Sequence, residues 1–311
     1  MLPVEVIIDA ITFSNLLALL ALGLTLTYLT LKVPNFAHGD LVAAGVYVAF
    51  SLHKLCGIHP YLAIPVAFLV CGAISLASYL LVYRPLWRRG AGIVTLMIAS
   101  IAVEIVLRSG LHIYADVLSS HLKTFTRGFS FAWLDWSVEM YGRTLTFVVI
   151  ASTCTLMAVT ISLYLFLSKT RFGTAMRAAI ENPSLASSLG INVDLVYAVS
   201  WFLAGALAGV AGVFLPFRMP SDPEVGWEML LRTFTASILG GLESLMGAIL
   251  GGLLTGFAEV LGIYVLSKPP VSLSTAYRPA ISCALFIMVL LVAPGGITSL
   301  DWRRVLRWRR K

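Results

Sequence analysis

The sequence has few charged residues, few cysteines and none of the common signatures of catalytic sites. Only 12% of its 311 residues are Asp, Glu, Lys or Arg, whereas a soluble domain has about 25%. The four cysteines, Cys56, Cys71, Cys154 and Cys283, lack the paired spacing of a zinc or redox site. G-x-S-x-G, H-E-x-x-H and Walker A sequences are absent. We therefore expect neither a soluble protein nor an enzyme, and no metal site or bound cofactor; ATP-driven work would need an ATPase on another chain.

What the sequence has in abundance is apolar residues. Hydrophobic residues make up 59% of the chain, and its mean hydropathy is +0.91. At about 20 apolar residues per membrane crossing, this length accommodates about eight helices with short connections. We predict an all-α, polytopic transmembrane bundle with some broken or re-entrant helices, forming one domain over residues 1–311.

The positive charge is concentrated at one end of the chain. The net charge is +7, and residues Arg303–Lys311 supply six positive charges without an acid. A basic stretch that contains Trp and follows an apolar segment is typical of a cytoplasmic juxtamembrane tail. We expect residues 301–311 to be such a tail, and nucleic-acid binding is the weaker alternative.

Apolar runs and their interruptions predict the individual spans. These are Ile7–Leu31, Leu41–Leu52, Tyr61–Tyr83, Gly92–Leu107, Leu145–Leu167, Leu195–Phe217, Phe234–Leu266 and Pro279–Ala293. Basic loops at Arg84–Arg89 and Lys169–Arg177 should face the cytoplasm, and the connection over 108–143 should lie outside. The run Phe234–Leu266 is too long for one crossing, and the glycines in Gly240–Gly247 predict a break there.

A polar interruption, Pro34–Asp40, precedes the second run, which has only about 12 apolar residues. A half-length element at membrane depth must be buried in protein or line an aqueous cavity, because lipid cannot satisfy free backbone groups. The simpler interpretation is a turn in which Asn35 or Asp40 caps the next helix. His38 and Asp40 could instead form a proton relay or a metal pair, but two ligand-type residues without a third make a weak metal site.

A second segment, residues 168–194, predicts a short and well-delimited helix. Asn182 suits the N-cap, Pro183 the first helical position, and Gly190 the left-handed residue that ends a helix. Ala186 and its serine neighbours would permit close approach. Such a short helix is unstable alone in water, so the residues support two interpretations equally, docking to a partner and an ordinary surface helix.

Small residues and acids in the later spans indicate how helices pack. Gly205 and Gly209 form a G-x-x-x-G pattern, which favours close helix packing in lipid rather than ligand contact. Glu104 has Arg108 one turn later, so we expect a local salt bridge. Glu259 has no base at helical spacing and should face the bundle interior or an aqueous path.

Three stretches resemble a known family, the membrane permeases of ABC importers for branched-chain amino acids, and in particular their shorter H-type subunit. They are ALGLTLTYLTLKVPNFAHGDLVAAGVYVAF, TRFGTAMRAAIENPSLASSLGINVD and FTASILGGLESLMGAILGGLLTGFAEVLG, and YRPAISCALFIMVLLVAPGGI is similar to the last span of the family. Together they cover most of the chain in the order of the family. The 108–143 connection and the basic tail depart from it.

The resemblance implies a coupling loop that presents a helix to an ATPase. Its candidate coupling residues are Arg171, Gly173, Arg177, Asn182, Pro183, Ala186, Leu189 and Gly190. The resemblance and the polar interruptions described above together suggest candidates for the translocation path. These are Asn35, His38, Gly39, Asp40, Gly240, Gly241 and Glu259.

The resemblance also implies partners. They are a second, M-type permease, two ATPase subunits that bind ATP and Mg, and an extracytoplasmic solute-binding protein. The default substrates are leucine, isoleucine and valine; urea, amides and other amino acids are alternatives within the family. A secondary transporter that uses Glu259 as a proton site is the rival class.

Overall fold

The chain folds into a bundle of helices in the computed structural model, which describes residues 3–140, 143–270, 272–293 and 295–299. The α-helices are α1 (Val4–Leu31), α2 (His38–Cys56), α3 (Ile64–Ser78), α4 (Arg84–Arg88), α5 (Ile93–Leu122), α6 (Phe147–Lys169), α7 (Arg171–Glu181), α8 (Pro183–Ser188), α9 (Val193–Phe214), α10 (Val225–Gly240), α11 (Leu245–Leu266) and α12 (Arg278–Val292). A π-helical turn, Tyr79–Tyr83, joins α3 to α4. Strands β1 (Ser137–Met140) and β2 (Arg143–Thr146) form one antiparallel hairpin.

Within these ranges, seven helical stretches are long and apolar enough to cross a membrane. They contain α1, α3 with α4, α5, α6, α9, α11 and α12. Helices α2 and α10, which are not among these seven, complete the set, so the prediction of a polytopic bundle of about eight spans with broken helices is confirmed. The tail at 301–311 lies outside the described residues.

Ion pairs identify the two ends of the bundle. Arg218, just after α9, contacts Asp9 at the start of α1 with 2.7 Å between Nη2 and Oδ1. Lys32, just after α1, contacts Glu243 at 2.8 Å between Nζ and Oε1. Helices α1 and α9 therefore run in opposite directions. We call the end with Lys32 and the loops Arg84–Arg89 and Lys169–Arg177 the basic end, and the other the aromatic end.

The aromatic end is built from stacked rings. His59 stacks on Trp136, and Tyr61 stacks on Phe217 with ring centroids 4.4 Å apart. The stack joins the turn before α3 to the segment before the hairpin and to the residues after α9. Apolar rings with polar tips suit a membrane interface.

Helix α2 begins inside the bundle rather than at its basic end. The ring of His38 lies against the middle of α1, with Nε2 3.1 Å from the carbonyl oxygen of Leu20. The prediction of a half-length helix was wrong, since α2 has 19 residues. It begins at His38, before the apolar run, and ends at Cys56, after which Gly57 adopts a left-handed φ of 67°. The interior start of the helix is nevertheless a polar interruption buried in protein.

Helices α2 and α10 meet at their first turns. A methyl group on Gly226 would lie 2.5 Å from the carbonyl oxygen of Gly39, so only glycine allows this approach. The packing around this point repeats with reversed direction: α1 packs mainly against α11, and α9 packs mainly against α3. The first long helix of each half of the chain, α1 or α9, thus packs against a helix of the other half.

Glycines hold the central helices together, as the G-x-x-x-G pattern predicts. A methyl group on Gly45 of α2 would lie 2.7 Å from the Cα atom of Gly209 in α9. On the other side, one on Gly209 would lie 2.5 Å from Cβ of Cys71. Helix backbones can approach this closely only where side chains are absent.

The connection predicted over 108–143 is shorter than expected. Helix α5 continues to Leu122, so the connection begins at Lys123 and not at Arg108. Helix continuation past Arg108 is possible because that side chain is paired with an acid in its own helix. The predicted break in Phe234–Leu266 is confirmed, since α10 ends at Gly240 and α11 begins at Leu245.

Candidate functional site

The short helix α8 begins as its sequence predicts. Asn182 is the N-cap, and its Oδ1 accepts a hydrogen bond of 3.0 Å from the backbone N–H of Leu185. Pro183 occupies the first turn, where its missing N–H would have had no partner in the helix. Asn182 also ends α7, so one residue fixes the angle between the two helices.

The other end of α8 is a Schellman motif. Gly190 has a φ of 84°, and its N–H donates to the carbonyl oxygen of Ser187 at 3.0 Å. The N–H of Ile191 donates to the carbonyl oxygen of Ala186, also at 3.0 Å. These two bonds satisfy carbonyls that would otherwise be free, so α8 is a rigid element despite its length.

The exposed face of α8 differs from the one expected. Ala186 is only 2% exposed and packs into the bundle, whereas Leu185 and Leu189 are 58% and 73% exposed. The prediction that Ala186 permits close approach by a partner was wrong. Its small side chain instead lets α8 lie close to its own bundle, and two leucines form the outward surface.

Helix α7 is anchored to the end of α6. A methyl group on Gly173 would lie 2.6 Å from the Cα atom of Leu167, and the N–H of Gly173 donates to Oγ1 of Thr170 at 3.0 Å. Arg177, though exposed, donates to the carbonyl oxygen of Leu167. Arg171 is exposed as well. The candidate coupling residues therefore lie together at the basic end, where Gly173 and Ala186 are buried and hold α7 and α8 against the bundle.

A feature missed in the sequence lies beside α8. Arg84 and Arg88 of α4 both contact Asp194 in the first turn of α9, Arg84 with 2.9 Å between Nη2 and Oδ2. A cavity of about 500 Å³ separates α4 from α8 and is lined by Trp87 and Pro183, among others. In the sequence, the basic cluster indicated only the orientation of the chain. Its acidic partner, Asp194, was missed because it lies about 110 positions further along the chain.

Inside the bundle, the polar residues before α2 have protein partners. Oδ1 of Asn35 accepts hydrogen bonds from the N–H of Ala37 at 3.2 Å and from the hydroxyl of Tyr83 at 3.1 Å. Neither Asn35 nor Asp40 caps α2, whose N-cap is Ala37. Asn35 instead stabilises the turn that leads into the helix.

Asp40 belongs to a buried ionic cluster. Its Oδ1 lies 3.5 Å from Nε of Arg108 in α5, and Arg108 also pairs with Glu104, which confirms the predicted local salt bridge. The guanidinium lies 4.9 Å from the ring centroid of Trp227 in the first turn of α10. The cluster therefore links both broken helices to α5 at the point where Gly39 meets Gly226.

Glu259 is fully buried, and its partners come from other helices. Its Oε1 lies 3.2 Å from Nε of Arg232 in α10 and 2.9 Å from Nε of Arg278 in α12. Arg278 in turn contacts Asp9, which also pairs with Arg218. The interior position of Glu259 is confirmed, but Arg232 and Arg278 were overlooked. An arginine within an apolar run requires an acid nearby, and that signal was available for Arg232.

Gly240 and Gly241 lie apart from the other path candidates, at the basic end. Gly241 has a φ of 95°, and the carbonyl oxygen of Gly240 accepts a 2.9 Å hydrogen bond from the hydroxyl of Thr298. The break continues to Glu243, and the hydrogen bond from Lys32 lowers the pKa of its carboxyl group. Asn35–Asp40 thus lie deep in the bundle, whereas the break lies at the basic end, as α7 and α8 do.

Comparison with known proteins identifies close relatives. Residues 6–292 match the family described as "Branched-chain amino acid transport system / permease component". The chain is 44% identical, over 96% of its length and 93% of the relative, to a probable branched-chain amino acid transport permease protein LivH of Methanocaldococcus jannaschii. It is 32% identical to the high-affinity branched-chain amino acid transport system permease protein LivH of Salmonella typhimurium, over 93% of each chain. It is 31% identical to BraD, a permease protein of the same description from Pseudomonas aeruginosa, over 94% of each. No solved structure matches the chain.

Proposed function

Because the chain belongs to the family of permease components of branched-chain amino acid transport systems, we propose that it is the H-type permease of an ABC importer. It carries leucine, isoleucine and valine, or closely similar amino acids, across the cytoplasmic membrane. The energy comes from two ATPase subunits that bind ATP and Mg, a second, M-type permease completes the pathway, and an extracytoplasmic solute-binding protein delivers the substrate.

The observation that carries this proposal is the rigid, doubly capped helix α8 with its two exposed leucines. Both ends of α8 are fixed by hydrogen bonds. Apolar side chains that point away from the bundle at a basic, non-lipid surface need a protein partner. Leu185 and Leu189 would enter a groove on the ATPase subunit, and Arg171 and Arg177 would contact acidic residues around it.

Orientation follows from the distribution of charge. The basic end has the loops Arg84–Arg89 and Lys169–Arg177, so the positive-inside rule assigns it to the cytoplasm. The aromatic end then faces the solute-binding protein. The described chain returns to the basic end, where Thr298 contacts Gly240; the tail at 301–311 would continue from there into the cytoplasm.

Coupling would proceed by rigid-body motion. When the ATPase subunits close on ATP, they push α8, and the buried Ala186 transmits the push to the bundle because its packing leaves no room to yield. The Lys32–Glu243 pair lies at the same end, next to the break between α10 and α11. A change in the angle at this break would open the path on one side and close it on the other.

The environment of Glu259 argues against the rival class, an ion-coupled transporter. A proton-carrying acid must be able to lose its charge during the cycle, but Glu259 lies between Arg232 and Arg278. Its protonation would leave Arg232 without an acid partner in the described part of the chain and Arg278 with Asp9 alone. Importers of urea or amides share the coupling features, so substrate identity must be measured.

The experiment is uptake by the reconstituted complex together with one matched pair of variants. Leu189→Asp adds a charge to the coupling surface, and Phe125→Asp makes the same change at the aromatic end, where Phe125 is 95% exposed. We expect Leu189→Asp to lower ATPase co-purification and leucine uptake at least tenfold, while Phe125→Asp retains the ATPase subunits. Equal retention of the ATPase by both variants, or uptake that stops with an uncoupler while ATP is present, would contradict the proposal.

A further inference from the structure

A cavity of about 300 Å³ opens on the outward surface of α10, between the segment before α2 and the first turn of α12. Its walls are mainly apolar and include Phe36, Trp227, Leu230, Leu231, Phe234 and Pro279. This volume is at the lower limit of ligand pockets, which suits a small ligand with a branched aliphatic group.

Two opposite charges border the same cavity. Glu228 and Arg232 are one helical turn apart on α10, and both line the cavity. The Cβ atoms of side chains at this spacing are about 5–6 Å apart. One amino acid can therefore place its ammonium group near Glu228 and its carboxylate near Arg232. Glu228 is exposed and forms no ion pair with any residue in the described part of the chain.

Arg232 has donor capacity left for a ligand. It is only 4% exposed, and its Nε faces Glu259 at 3.2 Å. Its Nη1 makes only a long hydrogen bond of 3.5 Å, to the carbonyl oxygen of Glu228. A carboxylate at the cavity wall would provide a better acceptor for this end of the guanidinium.

The charges also exclude a lipid chain as the natural occupant. An exposed glutamate on a helix within the membrane is costly if it faces hydrocarbon, so this face of α10 requires an aqueous or protein environment. The cavity adjoins the first turns of both broken helices, since Phe36 precedes α2 and Trp227 belongs to α10. Transporters commonly bind substrate where such helices meet.

We propose that this cavity is a binding site for the transported amino acid on its way through the permease. The branched side chain packs on the cavity wall formed by Phe36, Leu231 and Phe234, the carboxylate contacts Arg232, and the ammonium group contacts Glu228. The substrate class rests on the proposed function, but the site is assigned from the cavity and its two charges.

Labelling of a cysteine in the cavity tests the site. In the purified complex, with the four native cysteines replaced, Leu231→Cys introduces a thiol at the cavity, and maleimide labelling is timed in proteoliposomes. We expect leucine to slow labelling at least fivefold. Leucinol, which lacks the carboxylate, and 4-methylpentanoate, which lacks the ammonium group, should have little effect. The matched control Leu250→Cys, on the exposed face of α11, should be labelled at one rate throughout.

A second variant tests the charge contact without disturbing the buried ion pairs. Glu228→Gln in the Leu231→Cys background should raise the leucine concentration for half-protection about tenfold, as loss of a hydrogen bond to a charged group predicts. Replacement of Arg232 is not suitable for this purpose, because it would also remove an ion-pair partner of the buried Glu259.

The outcomes separate the site from the function. Labelling that leucine does not slow, or that leucinol slows equally, overturns the site even if the wild-type proteoliposomes take up leucine. Slow labelling under all conditions, together with cross-linking to the second permease, would mean that the partner subunit fills the cavity and leaves no room for the substrate, which also overturns the site. Labelling needs no ATP, so protection by leucine without ATP-dependent uptake would support the site and refute the proposed function.

Discussion

Replacement of Glu259 by glutamine tests whether the buried ion pairs hold the broken helix α10 in place. The acid is fully buried between Arg232 and Arg278, and Ser282 donates a hydrogen bond to it. Glutamine keeps the size of the side chain and removes its charge. The connected cluster of Arg232, Glu259, Arg278, Asp9 and Arg218 would then hold three cations and one anion instead of two.

The expected cost is large because the two arginines cannot reach water easily. Removing one partner of a buried ion pair costs about 3–5 kcal/mol, which lowers the ratio of folded to unfolded protein by a factor of roughly 150 to 4,000. The control is Glu243→Gln, which removes the acid of the Lys32 pair. Glu243 is mostly exposed, and such pairs contribute at most about 1 kcal/mol.

The measurement is SDS-titrated unfolding of the purified permease, followed by tryptophan fluorescence. A double variant, Glu259→Gln with Arg278→Gln, should be less unstable than the sum of the two single changes, because it restores the balance of charge in the cluster. If Glu259→Gln unfolds at the same SDS fraction as Glu243→Gln, or if the two changes are additive, the cluster does not hold α10 as we argue.

Two further predictions concern packing and surface charge. Gly45→Ala places a methyl group 2.7 Å from a Cα atom of α9, so we expect loss of folded protein in fluorescence-detected size-exclusion chromatography. The control Gly110→Ala has open space around the new methyl group and should fold normally. Equal behaviour of the two variants would contradict the packing argument. Exchanging the charges in Lys32→Glu with Glu243→Lys should recover the ATPase coupling that either single change reduces. The native pair is lost as pH falls through the lowered pKa of Glu243 and is fully formed above the ordinary value of a glutamate. The Lys32→Glu variant and the wild type should therefore converge at acidic pH in the ATPase assay, whereas Glu243→Lys, which keeps two cations at this position, should not.

Local chemistry made part of this protein readable from its sequence. The caps of α8 depend on contacts between residues at most a few positions apart, so Asn182, Pro183 and Gly190 predicted its limits. The Glu104–Arg108 pair is likewise one turn long. The length of apolar runs predicted the class of fold, because a bilayer of fixed thickness requires helices of a minimum length. Glycine at four-residue spacing predicted close packing for the same geometrical reason.

Only the tertiary structure decided which distant residues meet. The position of α2 depends on where the chain re-enters the bundle, and the short apolar run gave no indication that the helix starts beside Leu20. Ala186 faces inward because the bundle offers a surface there, which six residues of α8 cannot specify. The partners of Glu259 lie on two other helices, and the cavity beside Arg232 exists only once those helices have packed. Interactions along one helix repeat with its own period, whereas contacts between helices depend on how every other helix in the bundle is placed.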